Sequence, residues 1–506
     1  LLTAGTINPY REDKWDYDWF AIRNAWYFYD KVDMVNDGTP QSYINQRKAE
    51  ALGLVAQRYY EMFKRYGGLP WIDHYITMGE SIDMSRMSIT RTVDSICSLL
   101  DRAIAMPELP ERNAVNEFGR VNKVALRMLK ARVLLWSASP LFNPEDNQSY
   151  YPSFNKQELI KHETYDKNRW QEAADACLEA INAAHGAGYA LYTKYGDPVK
   201  DYKAAVTEFP DIDANGTAKG NPEIIWGTRP ADSYASETYQ SGSRVTIWST
   251  LKQLRGTVGT YLIPLQNMVD KYELRDGSDQ PSDYWETTSD PYNNLDRRFN
   301  ATIYHHGYKL GKTVGPFTLD MRMEPAGDQY PAGAQNFTGY YLAKFFDDDY
   351  IAGAGNYPQA FWPYMRLSDL YLMYAEALNE VDYASNSGEI LHYVNLVRNR
   401  AGQPNLEDKP GFQATQAYVR ECIRKERIVE LCYEDQIYFD YKRWKVGDKY
   451  IGGNMYGMKI TGDMANPTFS KFLYETRVWS SKWYLFPLYQ TDVLTTNGVL
   501  AQNPGW

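Results

Sequence analysis

The chain contains 506 residues, a length that allows about three domains of ~150 residues, although helical solenoids often continue further as one unit. Its 54 Lys and Arg residues against 64 Asp and Glu residues leave a net charge of −10, which argues against a general attraction to nucleic acid or to an anionic bilayer. No stretch approaches the ~18 uncharged apolar residues that a membrane helix requires.

The first helical signals lie in the N-terminal third of the chain. Near the start, one stretch carries aromatic residues at helical spacing that are predicted to pack in the core, namely Trp15, Trp19, Trp26 and Tyr27. Apolar residues at i, i+3 and i+4 then predict amphipathic helices over 121–135 and over 168–181. Asn168 is the predicted N-cap of the second helix.

A second pair of helices is predicted nearer the C-terminal end. Apolar stripes indicate helices over 367–378 and 390–397, joined by a turn-rich stretch at 382–388. Small Ala residues on these stripes let neighbouring helices approach closely. Such spacing is typical of tetratricopeptide-like pairs, in which each pair buries its face on the next.

The segment between these pairs, 189–363, is rich in Gly, Pro, Asn, Asp, Tyr and Trp and lacks sustained helical periodicity. It is too long for a linker and is predicted to form a loop-rich lobe with short strands, such as 223–226 and 340–345. The predicted fold class is mainly α, a tetratricopeptide-like helix-pair scaffold with a loop-rich lobe containing short strands. We expect one compact unit made of an N-terminal helical part (1–188), the ligand-binding lobe, and C-terminal helical pairs with a closing segment (364–506).

Several separate motifs occur in an order that resembles one known family. They are YYEMFKRYGGLP at 59–70, GRVNKVALRMLKARVLLWSASPLFN at 119–143, NPEI at 221–224, Arg297 and Phe299 of a DxRF element, RLSDLYLMYAEALN at 366–379, ERIVELCYEDQIYFDYKRW at 426–444, and a closing LFP and QNPG. From about Trp15 to the last residue, the chain resembles the SusD/RagB family of outer-membrane nutrient-binding lipoproteins. One departure is Asp435, which stands where the family usually has Gly.

The resemblance implies a SusD-like fold and a non-catalytic protein that captures oligosaccharides at the cell surface. It also implies a partner, a SusC-like TonB-dependent transporter, and a location in the outer membrane as a lipoprotein. Attachment would use an N-terminal lipid anchor that this sequence does not contain. No other contact with the membrane, and none with nucleic acid, is expected.

No catalytic motif is visible in the sequence, and no cofactor is predicted. There is no HExxH motif, no GxSxG elbow and no GxxxxGK[ST] loop. His305 and His306 are adjacent, but neighbouring side chains on a strand point to opposite faces, which disfavours a shared metal site. The acidic run Asp347, Asp348 and Asp349 is interpreted as a solvated turn, with a structural calcium ion as the open alternative. The four cysteines form no CxxC pair and are predicted to be buried free thiols.

One charged helix needs no ligand to explain it. Its basic and acidic residues interleave, namely Arg424, Lys425 and Arg427 with Glu421, Glu426 and Glu430. Pairing at i, i+4 on a solvated face accounts for this pattern. The sequence therefore gives no reason to predict an anion site there.

Aromatic residues outside helical stripes give the strongest functional indication. The chain has 43 Tyr and 14 Trp against 18 Phe, and Tyr and Trp combine a flat apolar face with a polar tip. A pyranose ring packs its C–H face on such rings, while its hydroxyls need planar polar partners. The candidate ligand-binding residues are Tyr239, Arg244, Trp248, Asp283, Tyr284, Trp285 and Tyr292 in the lobe, with Asn8 and Tyr10, whose loop the resemblance implies at the binding face.

A structural role for these lobe aromatics is the alternative. Loop-rich regions with few aliphatic residues often use Tyr and Trp as filler, so that half or more of the rings would cover the lobe's own core. If these rings are exposed platforms, Trp285→Ala or Trp248→Ala should weaken glycan binding and leave the melting temperature nearly unchanged.

The sequence favours a non-catalytic oligosaccharide-binding protein, and two other functions stay open. A RagB-type oligopeptide binder would need backbone-pairing edges and charge clamps more than isolated aromatic platforms. A surface glycosidase would need two carboxylates ~5 to 10 Å apart. Neither the bound glycan nor its linkage follows from the sequence, because both depend on loop shape.

Overall fold

The computed structural model describes residues 13–208, 211–212, 218–219, 221–228, 263–310, 317–323, 337–345 and 362–506. The helices are α1 (Asp13–Lys31), α2 (Gln41–Tyr66), α3 (Ile89–Ile104), α4 (Lys123–Ala138), α5 (Asn168–Gly186), α6 (Pro198–Thr207), α7 (Gln266–Val269), α8 (Tyr284–Thr287), α9 (Arg298–Thr302), α10 (Leu367–Arg400), α11 (Gln416–Glu430), α12 (Ile437–Arg443), α13 (Gly447–Tyr450) and α14 (Gln490–Thr495). The fold is mainly α, as the sequence predicts. None of these described helices is both long and apolar enough to span a lipid bilayer.

Apart from β9 and β10 the strands are short, and in the described residues they form two-stranded antiparallel sheets. They are β1 (Asp211–Ile212), β2 (Ala218–Lys219), β3 (Ile224–Gly227), β4 (Ile303–Tyr304), β5 (Lys309–Leu310), β6 (Phe317–Thr318), β7 (Tyr341–Leu342), β8 (Pro363–Arg366), β9 (Gly453–Gly462) and β10 (Pro467–Arg477). The pairs are β1 with β2, β3 with β8, β4 with β7, β5 with β6, and β9 with β10. The strands predicted over 223–226 and 340–345 correspond to β3 and β7.

Neighbouring helices pack against each other in a continuous series. α1 packs on α2, α2 on α3, α3 on α4 and α4 on α5, and the series then continues from α5 to α10 and α11. It bypasses the lobe, since α5 ends at Gly186 and α10 begins at Leu367. The predicted turn at 382–388 is shorter than expected. Within α10 only Asp382, with φ −174°, has a non-helical backbone, and the residues after it are helical. The series confirms the predicted helix-pair scaffold.

Side-chain caps explain where several helices begin. Ser88, Asn122 and Thr415 precede α3, α4 and α11, and each accepts a backbone N–H bond from the first turn of its helix. The prediction of Asn168 as an N-cap is wrong, because it is the first residue of α5 and the lysine before it provides no side-chain cap. The apolar stripe placed this helix correctly even though its cap was misassigned.

The turn after α2 requires glycine at two successive positions. Gly67 has φ +81°, in the left-handed region, and a Cβ on Gly68 would lie 2.1 Å from the carbonyl oxygen of Met87. Backbone geometry therefore accounts for the YGGLP sequence. Asp435 has φ 63°, a conformation that glycine adopts without strain and that an L side chain rarely does. Glycine would therefore relieve the backbone strain at this position.

Two large apolar cores hold the described residues together. The scaffold core lies between the packed helices, whereas the lobe core contains Tyr272, Trp285, Tyr292, Phe299 and Tyr340. The β9–β10 hairpin completes the lobe core with three side chains: Met458, Ile460 and Phe469. The lobe core therefore draws on chain beyond residue 363, while the three-part division of the chain stays a prediction.

Buried ion pairs connect the lobe strand to the scaffold. The network contains Glu223, which precedes β3, with Arg298 of α9, Arg366 of β8, Arg400 of α10 and Glu430 of α11, and all five side chains are buried. The Arg366 guanidinium lies 2.8 Å from Glu223 and 2.5 Å from Glu430. Arg400 pairs with both of these carboxylates, at 2.7 Å to Glu223, and Arg298 lies 3.0 Å from Glu430. We refer to these five residues as the buried ion network.

The interpretation of α11 as a solvated charged face is wrong at three positions. Glu426, Arg427 and Glu430 are buried. Arg427 lies 2.9 Å from Asp369 and 2.9 Å from Asp440, so its partners come from other helices rather than from its own. A helix whose charges pair with distant elements shows the same sequence pattern as a solvated one.

The four cysteines are free thiols. Cys177 and Cys432 are buried as predicted, whereas Cys97 and Cys422 are partly exposed. Burial raises the pKa of the Cys97 thiol to about 12 and that of Cys422 to about 11, so both remain protonated at neutral pH.

Candidate functional site

The lobe carries a cleft of about 540 Å³, a volume within the range of ligand pockets. Its lobe side is lined by Ser289, Asp290, Tyr292, Asn293, Asn300, His305, His306, Gly307 and Tyr308. The tip of the β9–β10 hairpin and α6 supply the remaining wall, namely Met464, Ala465, Pro467, Phe469 and Val199. We refer to this space as the lobe cleft. Hydroxyl, amide, carboxylate and imidazole groups meet aromatic rings within it.

Backbone hydrogen bonds fix the wall of the lobe cleft. The chain passes from α9 through β4 into a turn at 305–308, where Gly307 has φ +79°. Gly307 donates its N–H to the carbonyl of Leu319 at 2.9 Å, and Leu319 donates its own to the carbonyl of Tyr308 at 2.9 Å. The turn therefore holds its histidines and Tyr308 against the neighbouring segment.

The hydrogen bonds of His305 define its tautomer. Nδ1 lies 2.8 Å from the carbonyl oxygen of His306, which only accepts, so Nδ1 carries the proton. Oδ1 of Asn300 lies 3.0 Å from Nε2, which then has no proton to donate, so the Asn300 amide must be turned to bring its nitrogen to this position. Burial lowers the pKa of His305 to about 4, so the ring is neutral at pH 7. The amide oxygen of Asn300 then faces away from the histidine.

His306 has the opposite tautomer and an unused donor. Its Nδ1 accepts the backbone N–H of Met321 at 3.2 Å, so Nε2 carries the proton. Nε2 is buried and has no hydrogen-bond partner among the described residues. Burial also lowers the pKa of His306, which keeps the ring neutral. A buried donor without a partner is costly.

The structure does not bring a third metal-binding side chain to the two histidines within the described residues. Each uses one ring nitrogen in a backbone contact, and the described residues contain no group of three or more His, Cys, Asp or Glu side chains able to hold a metal ion. The acidic run Asp347, Asp348 and Asp349 lies outside the described residues, so the calcium alternative stays open there.

Three of the predicted sugar platforms are buried in the lobe core. Tyr284, Trp285 and Tyr292 are 5%, 2% and 4% exposed. Trp285 makes edge contacts with Tyr284 and Tyr292 at 5.6 Å and 5.5 Å between ring centroids, and Tyr292 stacks on Phe299 at 5.7 Å. The prediction that these rings present open faces is wrong, because a lobe with few aliphatic residues uses them as its core. Tyr292 reaches the lobe cleft only as part of its wall.

The other predicted residues are not brought into the lobe cleft by the described structure. Asp283 is exposed and precedes α8, but it does not line the lobe cleft. Five further candidates lie outside the described residues: Asn8, Tyr10, Tyr239, Arg244 and Trp248. Their roles in ligand binding stay predictions.

Sequence reasoning missed most of the lobe cleft. Asp290 lies within the predicted stretch at 283–292 and Asn293 directly after it, and Asn300 and Tyr308 come shortly after. Their composition, polar and aromatic without helical periodicity, is the same signal that selected Asp283 and its neighbours. The hairpin wall had no comparable signal, because it is more than 150 residues away in the sequence.

A second aromatic surface lies on α1. Trp15 and Trp26 are buried as predicted, but Tyr27 is 51% exposed, and its assignment to the core is wrong. Its ring lies 5.0 Å from that of Tyr75, whose hydroxyl accepts a 3.0 Å hydrogen bond from Arg23. A helical wheel predicts that Tyr27 and the buried Trp26 face different sides of α1, because adjacent residues are about 100° apart.

Solved structures share the fold of this chain. A SusD-like protein from Bacteroides fragilis aligns with 98% of this chain and 86% of its own length, at a TM-score of 0.76 and 24% identity. The surface glycan-binding protein A from Bacteroides thetaiotaomicron, solved in complex with laminarihexaose, aligns with 97% of this chain and 85% of its own length, at a TM-score of 0.57 and 17% identity. At these identities the similarity establishes the fold alone.

Sequence comparison establishes the family. SusD-like protein P2 from Formosa agariphila is 28% identical over 170 residues, which represent 33% of this chain. The aligned region covers 30% of that relative, so this chain matches less than a third of its length. The model of the SusD family matches residues 222–506, which is more than half of the chain. The chain therefore belongs to the SusD family.

Proposed function

We propose that this protein captures oligosaccharides at the cell surface without cleaving them and passes them to a SusC-like TonB-dependent transporter. In this proposal a lipid anchor holds it to the outer membrane. The observation that carries the proposal is the lobe cleft, where amide and carboxylate groups lie beside aromatic rings in a chain of the SusD family. The laminarihexaose complex of the Bacteroides thetaiotaomicron protein supports a saccharide as the ligand class.

The lobe cleft offers the groups that a sugar needs. Asp290 and Asn293 are exposed at its edge and can accept or donate hydrogen bonds to ring hydroxyls. His306 adds its imidazole ring to the wall of the cleft. Tyr308 is half-buried, with edge contacts to Tyr304 at 4.9 Å and His305 at 5.6 Å that fix its ring plane. A fixed ring stacks on a C–H face at low entropic cost.

The carboxylates that line the lobe cleft bear on whether a bound glycan could be hydrolysed there. Glycoside hydrolysis generally needs a pair of carboxylates on either side of the scissile bond. Among the described residues that line the lobe cleft, Asp290 is the one carboxylate. Glycan microarray binding followed by product analysis separates the functions: we expect binding with intact glycan, whereas cleavage products would indicate a glycosidase and an exclusive response to peptides would indicate a peptide binder.

Replacing Tyr308 by Ala is expected to weaken binding of the best microarray glycan by at least about fivefold, since loss of one stacking face costs ~1 kcal/mol or more. Isothermal titration measures the change. Tyr474→Ala is the matched control, because Tyr474 is also partly exposed but lies on β10 outside the lobe cleft. Equal affinities for both variants and the parent protein would remove the lobe cleft from the binding site.

The affinity for a neutral oligosaccharide should change less than about twofold between ~50 and ~500 mM NaCl, because a neutral ligand has no charge for salt to screen. Titrations at both salt concentrations test this. A steep loss of affinity with salt would show that the lobe cleft holds its ligand by charge.

The transporter partnership has a separate test. The lipidated protein, purified from its native outer membrane in mild detergent, is expected to bring a TonB-dependent transporter with it. Isolation of the protein alone under conditions that preserve other outer-membrane complexes would contradict this part of the proposal.

A further inference from the structure

A second cleft, of about 300 Å³, lies between α11 and the segment 270–280. It shares no lining residue with the lobe cleft, and four of its side chains are cationic: Lys271, Lys409, Arg424 and Lys425. Three are acidic: Asp270, Asp279 and Glu421. We refer to it as the basic cleft. The lining therefore carries one more positive than negative charge, in a chain whose net charge is −10.

The acidic side chains of the basic cleft already have cationic partners. Asp279 pairs with Lys409 at 2.9 Å and also with Lys425. Asp270 lies 3.1 Å from Lys471, which stands on β10. Glu421 lies 3.2 Å from Arg424, its neighbour at i+3 on α11. Each of these carboxylates therefore already pairs with a cation other than Lys271.

Glu273, behind the wall of the basic cleft, also has cationic partners. It lies 2.5 Å from Lys409 and 3.0 Å from Arg398, with Lys425 at 3.6 Å. These three cations outweigh the burial that opposes ionisation and hold the pKa of Glu273 below its ordinary value. Glu273 is therefore an anion already shared between cations.

Two cations of the basic cleft keep donors without an acceptor. The Lys271 ammonium makes no ion pair or hydrogen bond within the part of the chain that the structure describes, and it stands 4.5 Å from the ring centre of Tyr450. Burial lowers the pKa of Lys271, and repulsion from Lys449 and Lys425 lowers it further. The Nε of Arg424 is buried and also lacks a hydrogen-bond partner among these residues. An anionic group in the basic cleft would be attracted both to the ammonium of Lys271 and to the guanidinium of Arg424.

We propose that the basic cleft binds the carboxylate or sulfate group of an acidic saccharide, with Lys271 and Arg424 as its charge partners. This is a second site and goes beyond the proposed capture of glycans in the lobe cleft. Its volume equals that of about ten water molecules at ~30 Å³ each, which leaves room for a sugar ring beside the anionic group. The exposed carboxylates of Asp270 and Glu421 at its rim accept hydrogen bonds from sugar hydroxyls.

Sequence reasoning interpreted the charges of α11 as a solvated face and gave no reason for an anion site. The structure changes this interpretation because it adds Lys271 and Lys409 from other segments to Arg424 and Lys425. Lys271 is more than 150 residues from Arg424 in the sequence, so their proximity follows only from the fold.

Isothermal titration of the whole chain with four probes tests the proposal: trigalacturonate, a κ-carrageenan tetrasaccharide, maltotetraose and inorganic sulfate. We expect at least one acidic saccharide to bind, and Lys271→Met to weaken that binding by about fivefold or more, because a charge-assisted contact is lost. Lys459→Met is the matched control, since Lys459 is an exposed lysine on β9. It should change the affinity by less than about twofold.

Other outcomes would overturn the proposal. Absence of binding by both acidic saccharides at low salt would do so, and so would equal losses in Lys271→Met and Lys459→Met, which indicate non-specific charge. Sulfate binding as tightly as the saccharides would identify a site for free anions instead. If Lys271→Met does not fold, Arg424→Gln is judged by the same criteria. Tyr308→Ala should leave this binding unchanged, so failure here and failure of the lobe cleft are distinguishable.

Discussion

Glu430→Gln is expected to lower the free energy of unfolding by about 3–5 kcal/mol, because it removes a buried anion and leaves its cationic partners buried without it. Glu430 pairs with Arg366 at 2.5 Å, with Arg298 at 3.0 Å and with Arg400. Glutamine keeps the shape of the side chain but supplies no charge. Chemical denaturation monitored by circular dichroism measures the change.

The pH dependence of this effect has a definite sign. Burial opposes ionisation of Glu430, but Arg400, Arg366 and Arg298 outweigh it and hold the pKa of that carboxyl well below its ordinary value. Its contribution to stability is therefore complete above the unfolded pKa of ~4.3 and is lost as pH falls through the lower folded pKa. The stability difference between the parent protein and Glu430→Gln should accordingly be constant at neutral pH and shrink in strong acid.

Glu421→Gln is the matched control for Glu430→Gln. Glu421 stands on the same helix, but its side chain is exposed and pairs with Arg424 at 3.2 Å. An exposed pair of this kind contributes at most ~1 kcal/mol. Equal losses for the two variants would show that the buried ion network adds nothing beyond an ordinary surface pair.

Trp285→Ala is expected to lower the free energy of unfolding by about 3–5 kcal/mol, because it opens a cavity in the lobe core. The indole is surrounded by the rings of Tyr284, Tyr292 and Phe469, and its Nε1 donates a 3.1 Å hydrogen bond to Gln280. This reverses the expectation from sequence, in which an exposed platform is removed at no cost to stability. Thermal and chemical denaturation both report the difference.

Trp285→Phe separates lost volume from lost function. Phenylalanine keeps one ring in the lobe core, so its loss of stability should be clearly smaller than that of alanine. Glycan binding by Trp285→Phe should stay close to that of the parent protein, since the indole presents no open face. A stable Trp285→Ala variant that no longer binds glycan would instead restore Trp285 as a platform.

The scaffold was predictable because its helices bury continuous apolar stripes. The stripes over 121–135 and 168–181 correspond to α4 and α5, and the motifs of the SusD family place the same elements in order. The burial of Trp285 was not predictable by this route, since the lobe has no periodicity from which an inner face can be read. Buried charges are hidden for a related reason: Arg427 and Glu430 are identical in sequence pattern to exposed i, i+4 pairs.

The candidate site was only partly accessible from the sequence. The stretch at 283–292 led to the correct neighbourhood, because Asp290 of the lobe cleft lies within it and Asn293 follows directly. The other wall comes from the β9–β10 hairpin, and the basic cleft joins Lys271 to α11. Composition marks which segments are polar and aromatic, but only the fold decides which segments meet.

The buried ion network also affects how long the native state lasts. Arg298 and Glu430 are 132 residues apart in the sequence, and Glu223 and Arg400 are 177 apart. Closing such long loops costs chain entropy, so these contacts are expected to form late in folding. Interactions that are absent from the folding transition state slow unfolding rather than accelerate folding. We therefore expect the network mainly to lower the unfolding rate of the lobe. A lower unfolding rate limits transient opening and cleavage by proteases.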